Sequence, residues 1–228
     1  MAIKHYKLMR WHVWLGWLIG VPIIIWTASG LLMVARPIEE VRGTHLRETV
    51  ESPAIAYDKL KLFADQKRNI SGAKLVNSGK SPLWIVEYSD GGQSRFDAMN
   101  GELLDDISGK QARQIAEELY KPDEAVTLVR AFARDASPFD LRRERPSWQV
   151  KFADGTNIYV DRETGEVLAL RTQFWRAFDF MWGLHIMDLQ TRKDTSHPIL
   201  IFFAVISLLG SILGFFMLFT RRRKPRKK

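Results

Sequence analysis

The chain has 228 residues, no cysteine, 46% hydrophobic residues and a formal net charge of +8. This length suits one domain or two small ones, and the hydrophobic content excludes a disordered chain. The absence of cysteine excludes disulfides, cysteine-ligated metal centres and a cysteine nucleophile. The charge by itself would suggest a nucleic-acid-binding protein.

The excess positive charge lies at the two ends of the chain. Residues 1–10 carry Lys4, Lys7 and Arg10, and residues 221–228 carry seven basic residues, with no acid at either end. These ends hold ten of the 34 basic residues, so the rest of the chain has 24 basic against 26 acidic residues. No nucleic-acid partner is therefore expected. The two basic tails are expected to lie in the cytoplasm, where they can contact anionic lipid.

Residues 11–35 contain no charged side chain, and this length exceeds the roughly 20 residues that cross a bilayer as a helix. The run predicts a first transmembrane helix over 11–35. A cleaved signal peptide is the alternative interpretation. Its apolar core would have about 7–15 residues and a small-x-small cleavage site, which Met33-Val34-Ala35 does not provide. The pattern therefore favours an uncleaved anchor.

The segment between the apolar runs contains two similar halves, predicted as modules over 36–106 and 107–172. The stretch Pro82–Gly91 aligns without a gap with Pro146–Gly155, at a constant shift of 64 residues. Alternation places Trp84, Val86 and Tyr88 on one strand face, and the second copy repeats this pattern. Asp-Gly after each strand indicates a hairpin turn. Asp90, Asp97, Asp154 and Asp161 are explained by turn chemistry, without a catalytic role.

A helix is expected before each meander. In the first half, Ser52 is the predicted N-cap with Pro53 in the first turn, and Leu60, Phe63 and Ala64 form an apolar face. In the second half, Ser108 is the predicted N-cap of a helix whose apolar positions are Ala112, Ile115, Ala116 and Leu119. The fold class is thus α+β. Residues 135–145 form an extra arginine-rich loop, interpreted as solvated.

Two further segments follow the second half. Within residues 173–197, the stretch Phe174–Leu189 is apolar and aromatic but too short to span a membrane, so this segment is expected to lie in the interface or form a packing helix. Residues 198–220 carry no charge and predict a second transmembrane helix. Basic residues outside both spans place both termini in the cytoplasm. The sequence therefore predicts a two-pass protein of a bacterial inner membrane with a periplasmic central domain.

Small residues recur at helical spacing in both predicted spans. Gly16 and Gly20 lie on one face of the first, and Gly210 and Gly214 lie on one face of the second. Counted inward from the basic flanks, Gly16 falls at the depth of Gly214 and Gly20 at that of Gly210. Small residues let membrane helices approach closely, so these two faces are predicted to pack together.

These patterns resemble a known family. The W-x-V-x-[YF]-x-D-G strands with their helices are similar to the PepSY domain, here in tandem. Arg10–Gly16 and Thr27–Leu32 resemble the first helix of PepSY-associated transmembrane proteins. Larger members include bacterial siderophore-iron reductases that carry haem b. The resemblance therefore implies haem b as a possible cofactor and a link to iron uptake.

The predicted cofactor-binding residues are His12, His185, His197 and His5. A histidine within a membrane span is a functional hypothesis by default, although His12 is close enough to the headgroups to be hydrated. His197 precedes Pro198 and has an alternative role as a helix start. About a bilayer thickness separates His12 from His197, so both cannot bind one haem in a monomer. His5 or another subunit would complete a site with His12, and His185 or another subunit one with His197.

Three functions follow as hypotheses. The leading one is a non-hydrolytic accessory or binding component that works with a membrane or periplasmic partner, or by self-association. The first alternative is a haem b-carrying electron-transfer subunit that aids ferric-siderophore reduction. The second is a regulator of an exported peptidase, a role implied by soluble PepSY modules. The sequence carries no hydrolase, metalloprotease or nucleotide-binding motif, and no catalytic residue or metal site is predicted.

Overall fold

The computed structural model describes residues 2–49, 54–55, 57–63, 68–77 and 81–220, with only the backbone at residues 2–5, 8 and 220. The chain divides into two compact units. The helix unit comprises residues 2–37 and 177–220 within the described range, and the sheet unit comprises residues 38–176. Each unit is described separately below.

The helix unit is built on two long helices, α1 (Ala2–Val34) and α5 (Pro198–Thr220). Met9–Val34 and Pro198–Phe219 are long and apolar enough to cross a membrane, with mean hydropathies of 2.0 and 2.7. This confirms the two predicted apolar helices. His12 contacts α5 near Gly214, and Ile19 contacts it near Gly210, so the two helices run antiparallel.

The sheet unit contains two four-stranded antiparallel sheets, each with its strands in sequence order. The first is formed by β1 (Ile70–Asn77), β2 (Pro82–Tyr88), β3 (Gln93–Asp97) and β4 (Leu103–Leu104). The second is formed by β5 (Val126–Phe132), β6 (Ser147–Phe152), β7 (Asn157–Asp161) and β8 (Val167–Arg171). Together with the helices, these sheets confirm the α+β class. The identity of each sheet as a PepSY module stays a prediction.

Shorter elements complete the described chain. They are the helices α2 (Ile38–Val41), α3 (Gly109–Leu119) and α4 (Gln173–His185), and the 3₁₀ helices Thr44–Leu46, Tyr57–Lys59 and Phe139–Leu141.

The middle strands of the two sheets have matching registers. Trp84 pairs with Phe96 in the first sheet, and Trp148 pairs with Val160 in the second, 64 positions later in each strand. The predicted shared faces are confirmed, and they point into apolar cores: Val86 and Tyr88 lie in one core, and Val150 and Phe152 lie in another. The predicted turn role of the aspartates is also confirmed. Asp154, for example, accepts a hydrogen bond from the Thr156 backbone N–H at 2.8 Å.

The second sheet is covered on one face by α3. Ser108 and Gln111 form a reciprocal capping box at its start, which confirms the predicted N-cap. Ala112 and Ala116 are fully buried because the apolar stripe of α3 packs on the sheet. Leu46 also packs on this core, although the sequence-based division places it in the first module.

The helix predicted before the first sheet is wrong where the chain is described. Tyr57–Lys59 form a 3₁₀ turn, and residues 60–63 have no helical structure. The sheet engages the backbone of Lys61: its N–H donates to Ala98 O at 2.8 Å, and its carbonyl accepts from Trp84 Nε1. Phe63 packs on the first core from this non-helical segment. The predicted cap Ser52, with Pro53 and Ala64, lies outside the described residues.

The arginine-rich insertion is packed rather than solvated at two of its positions. Leu141 is fully buried with Tyr159 and Ala169, on a small apolar core of the second sheet. Arg145 binds the buried Asp161 carboxylate at 2.6 Å and the Glu163 carboxylate at 3.0 Å. The expectation of a fully solvated loop is therefore wrong. The buried Leu141 and the ion pairs of Arg145 with two carboxylates therefore hold the insertion against the second sheet.

Candidate functional site

His185 occupies the most structured polar site in the helix unit. It is the last residue of α4, and its Nδ1 lies 3.1 Å from Ser29 Oγ and 3.2 Å from the Trp26 carbonyl oxygen of α1. The Ser29 hydroxyl itself donates to the Trp26 carbonyl at 2.9 Å. A carbonyl oxygen can only accept, so the contact with Trp26 is a hydrogen bond when the imidazole proton is on Nδ1.

This arrangement leaves Nε2 of His185 as the lone-pair nitrogen. The ring is fixed further by stacking on Trp26, with centroids 4.8 Å apart and planes inclined by 19°. It also lies close to Gly30, where a Cβ would stand 3.2 Å from His185 Cε1. A histidine whose Nδ1–H is held by the protein has a fixed tautomer and ring orientation, which is the usual setting of a metal-ligating imidazole.

His197 lies at the start of α5. Its carbonyl accepts the Ile201 N–H at 3.2 Å, so it acts as a helix start. Its Nδ1 is buried without a hydrogen-bond partner in the described chain. The same side chain lines a cavity of about 430 Å³, together with α1 residues that include Pro22 and Ile25. His197 therefore combines a backbone that starts α5 with an imidazole that borders the cavity and has a buried, unpartnered Nδ1.

His12 is packed between the two long helices. A Cβ on Gly214 would stand 2.8 Å from His12 Cε1, so the ring lies directly on the surface of α5. Its Nδ1 is also buried without a partner among the described atoms. The side chain of His5 lies outside the described part of the structure.

The helix pairing separates His12 from His197. His12 contacts α5 at Gly214, which is 17 residues beyond His197, and this corresponds to about 25 Å along a helix. The two imidazoles therefore belong to opposite ends of the helix pair. One haem within a single chain cannot use both.

The predicted pairing of two glycine faces is wrong for α1. No atom lies within 4 Å of a Cβ placed on Gly16 or Gly20, whereas Gly210 faces Ile19 and Gly214 faces His12. The small face of α5 thus receives larger side chains of α1 rather than a second small face. Packing a large side chain onto a glycine fills more volume than two opposed glycines do.

The segment after His185 forms a hydrogen-bonded turn. The Asp188 carboxylate accepts hydrogen bonds from the Thr191 side chain and from the backbone of Thr191, Lys193 and Asp194. The Thr191 hydroxyl, followed by these backbone donors, holds the pKa of Asp188 well below its ordinary range. Arg192 pairs with Asp179, and its carbonyl accepts from Trp182 Nε1 at 3.1 Å. These contacts tie the turn to α4.

Sequence reasoning did not identify Ser29 and Trp26 as partners of His185. Ser29 is only 1% exposed within an apolar helix, and its hydroxyl lies 156 positions from His185 in the chain. A buried serine in an apolar run was the available signal. Among the described residues, no group of three or more His, Asp or Glu side chains is arranged to hold a metal ion.

Comparison with known proteins gives one family. A family described as PepSY-associated TM region matches residues 9–228. No curated protein and no solved structure matches the chain.

Proposed function

Because the chain belongs to the PepSY-associated TM region family, we propose that it is a non-hydrolytic accessory or binding component anchored in the bacterial inner membrane. The single observation that supports this role is the antiparallel pairing of α1 and α5. The chain leaves α1 to enter the sheet unit and returns through α4 to the start of α5. The sheets are thus joined to one end of the helix pair, and the basic tails follow from the other.

The basic residues outside both apolar helices support the proposal that the sheets lie in the periplasm and both tails in the cytoplasm. Reporter fusions provide the measurement: alkaline phosphatase inserted at residue 78 and a fluorescent protein fused after residue 228. Phosphatase should be active and the fluorescent protein bright, since each folds in its expected compartment. An inactive phosphatase with a dark terminal fusion would reverse the orientation and contradict a periplasmic role.

Partner binding is tested by photo-crosslinking in cells, with a photoreactive amino acid at Leu128 on the edge strand β5. Leu128 is 47% exposed, and edge strands offer unpaired backbone groups to a partner. The matched control position is Leu208, which is 62% exposed on α5. We expect a discrete adduct of one mass from Leu128 that is absent from Leu208. Identical adducts from both positions, or none from several exposed sheet positions, would contradict a binding role for the sheets.

His185 favours a second candidate function, a haem b-carrying electron-transfer subunit. His185 would be able to hold a haem iron through Nε2, because the contacts of Nδ1 with Ser29 and the Trp26 carbonyl leave Nε2 as the lone-pair nitrogen. A second histidine, His197, directly precedes α5, and its Nδ1 has no hydrogen-bond partner in the described chain. A bound haem would supply one-electron redox chemistry. The chain's own part is to hold the imidazole proton on Nδ1.

Absorbance of the purified full-length protein separates the two functions. A haem protein shows a Soret band that His185→Ala abolishes and that Ser29→Ala shifts, because the serine no longer holds Nδ1. His45→Ala is the matched control, since His45 lies in the sheet unit. A colourless, folded protein from haem-replete cells would contradict the redox function and leave the accessory function in place.

A further inference from the structure

Two adjoining cavities lie in the helix unit, beside the paired helices. The first has a volume of about 430 Å³ and the second about 350 Å³. They share Pro22 of α1, Met187 of the turn and Phe203 of α5, so they are direct neighbours, and one elongated ligand with a flexible tail could occupy both. Each volume is in the range of small-molecule sites in proteins, about 300–1,000 Å³.

The two ends of this space differ in polarity. Asp188, Gln190 and His197 line the first cavity, whereas Trp26, Leu200 and Ala204 line the second. Leu200 and Ala204 belong to the apolar span Pro198–Phe219. A molecule that fits both ends has a polar head and an apolar tail, and it is supplied by the bilayer.

The polar end selects an uncharged head. The buried Nδ1 of His197 has no partner in the described chain, and a buried polar nitrogen is costly unless it forms a hydrogen bond. The Asp188 carboxylate at the same end is held by four hydrogen bonds and so repels a phosphate. Arg192, the nearest arginine in the chain, is paired with Asp179. A head with a carbonyl or hydroxyl oxygen satisfies His197 without adding negative charge.

Aromatic side chains favour a flat head. Phe203 lines both cavities and Trp26 lines the second, and aromatic faces stack on conjugated rings. We propose that this space binds an isoprenoid quinone, with a ring oxygen bonded to the His197 imidazole, the ring against Phe203 and Trp26, and the tail beside Leu200 and Ala204. The imidazole can donate to a quinone carbonyl or accept from a quinol hydroxyl. This inference does not require haem.

The test uses the purified full-length protein in detergent micelles and a short-chain ubiquinone, decylubiquinone, as the probe. Quinones quench tryptophan fluorescence on contact, so binding is followed by emission, and Trp26→Phe identifies the responding residue. We expect saturable quenching that Trp26→Phe largely removes. His197→Phe should weaken binding about tenfold, which corresponds to the loss of one hydrogen bond to a buried group.

A second pair of variants covers the case in which His197→Phe alters the start of α5. Ala204→Trp fills the apolar cavity and should abolish saturable binding. Leu209→Trp introduces the same side chain on α5, at a residue that is 55% exposed and lines neither cavity. It should bind the probe like the wild-type protein. Equal circular dichroism of the variants shows that the helices remain folded.

Three results would overturn the proposal. One is quenching that does not saturate, or that is the same in Ala204→Trp and in the wild-type protein. Another is competition by phosphatidylglycerol, since that result assigns the space to an anionic lipid. The third is a Soret band that Ala204→Trp removes, since that result places haem in the cavity. The accessory function is tested separately by topology and crosslinking, so either conclusion can fail alone.

Discussion

The pairing of α1 with α5 predicts that glycines on the two helices respond differently to substitution. A Cβ on Gly214 would stand 2.8 Å from His12 Cε1, and one on Gly210 would stand 3.0 Å from Ile19 Cδ1. Both distances are shorter than carbon–carbon contacts at optimal separation, about 3.5–4.0 Å. A leucine at Gly214 must therefore displace the His12 ring or separate the helices.

The expected magnitude follows from two opposing terms. Overpacking a well-packed site costs about 1–3 kcal/mol, and replacing glycine by leucine in a helix returns roughly 0.5–1 kcal/mol of intrinsic propensity. Gly214→Leu should therefore lower the free energy of unfolding by about 1–2 kcal/mol. Gly16→Leu is the matched control, because nothing lies within 4 Å of its Cβ position. It should leave stability unchanged or raise it by less than ~1 kcal/mol.

Reversible unfolding of the full-length protein in mixed micelles measures this difference, with sodium dodecyl sulfate as denaturant and circular dichroism as the signal. Size-exclusion chromatography on the same samples monitors the oligomeric state. Equal destabilisation by Gly16→Leu and Gly214→Leu would refute the pairing, because it would mean that the glycine face of α1 also contacts a helix. Destabilisation by Gly16→Leu together with a change in oligomeric state would locate that helix in another subunit.

Three further predictions concern the sheet unit, each measured on the full-length protein. Arg145→Met leaves the buried Asp161 carboxylate without its ion pair and should lower the free energy of unfolding by about 2–4 kcal/mol. The control Arg113→Met removes an exposed ion pair with Glu117 and should change the free energy of unfolding by less than ~1 kcal/mol. Equal effects of the two substitutions would contradict a stabilising role for the buried ion pair. Burial, followed by the hydrogen bond to Asp154, raises the pKa of Tyr120 to about 12 from an ordinary value of 10.0. The unfolded chain therefore loses this proton first, and the free energy of unfolding should fall as the pH rises from about 10 to 12. Tyr120→Phe should reduce this pH dependence, and an unchanged pH dependence in chemical denaturation would disprove the linkage. Ser108→Ala removes the N-cap of α3 and should lower the thermal midpoint, because the folded state loses about 1 kcal/mol of stability. Ser108→Asp should retain the capping interaction. If Ser108→Asp lowers the thermal midpoint as much as Ser108→Ala does, the result would argue against a capping role.

Local sequence patterns identified the features that depend on neighbouring residues. Two uncharged runs predicted the long helices, because hydrocarbon excludes charge over a fixed length. Alternation and Asp-Gly turns predicted the central strands of both sheets, and Ser108 marked the start of α3. The same reasoning failed before the first sheet, where the spacing of Leu60 and Phe63 suggested a helix. Sheet contacts to the Lys61 backbone replaced helical hydrogen bonds there.

Only the tertiary structure decided which faces meet. An apolar helix is hydrophobic on all sides in a membrane, so hydropathy does not reveal that Ile19 rather than Gly16 faces α5. The hydrogen bond between His185 and Ser29 joins residues 156 positions apart, and no local pattern encodes such a contact. The sequence by itself therefore determined two long apolar helices, the α+β class and the separation of His12 from His197. The long-range packing of α1, α4 and α5 decided which groups contact His185 Nδ1 and formed the cavity beside His197.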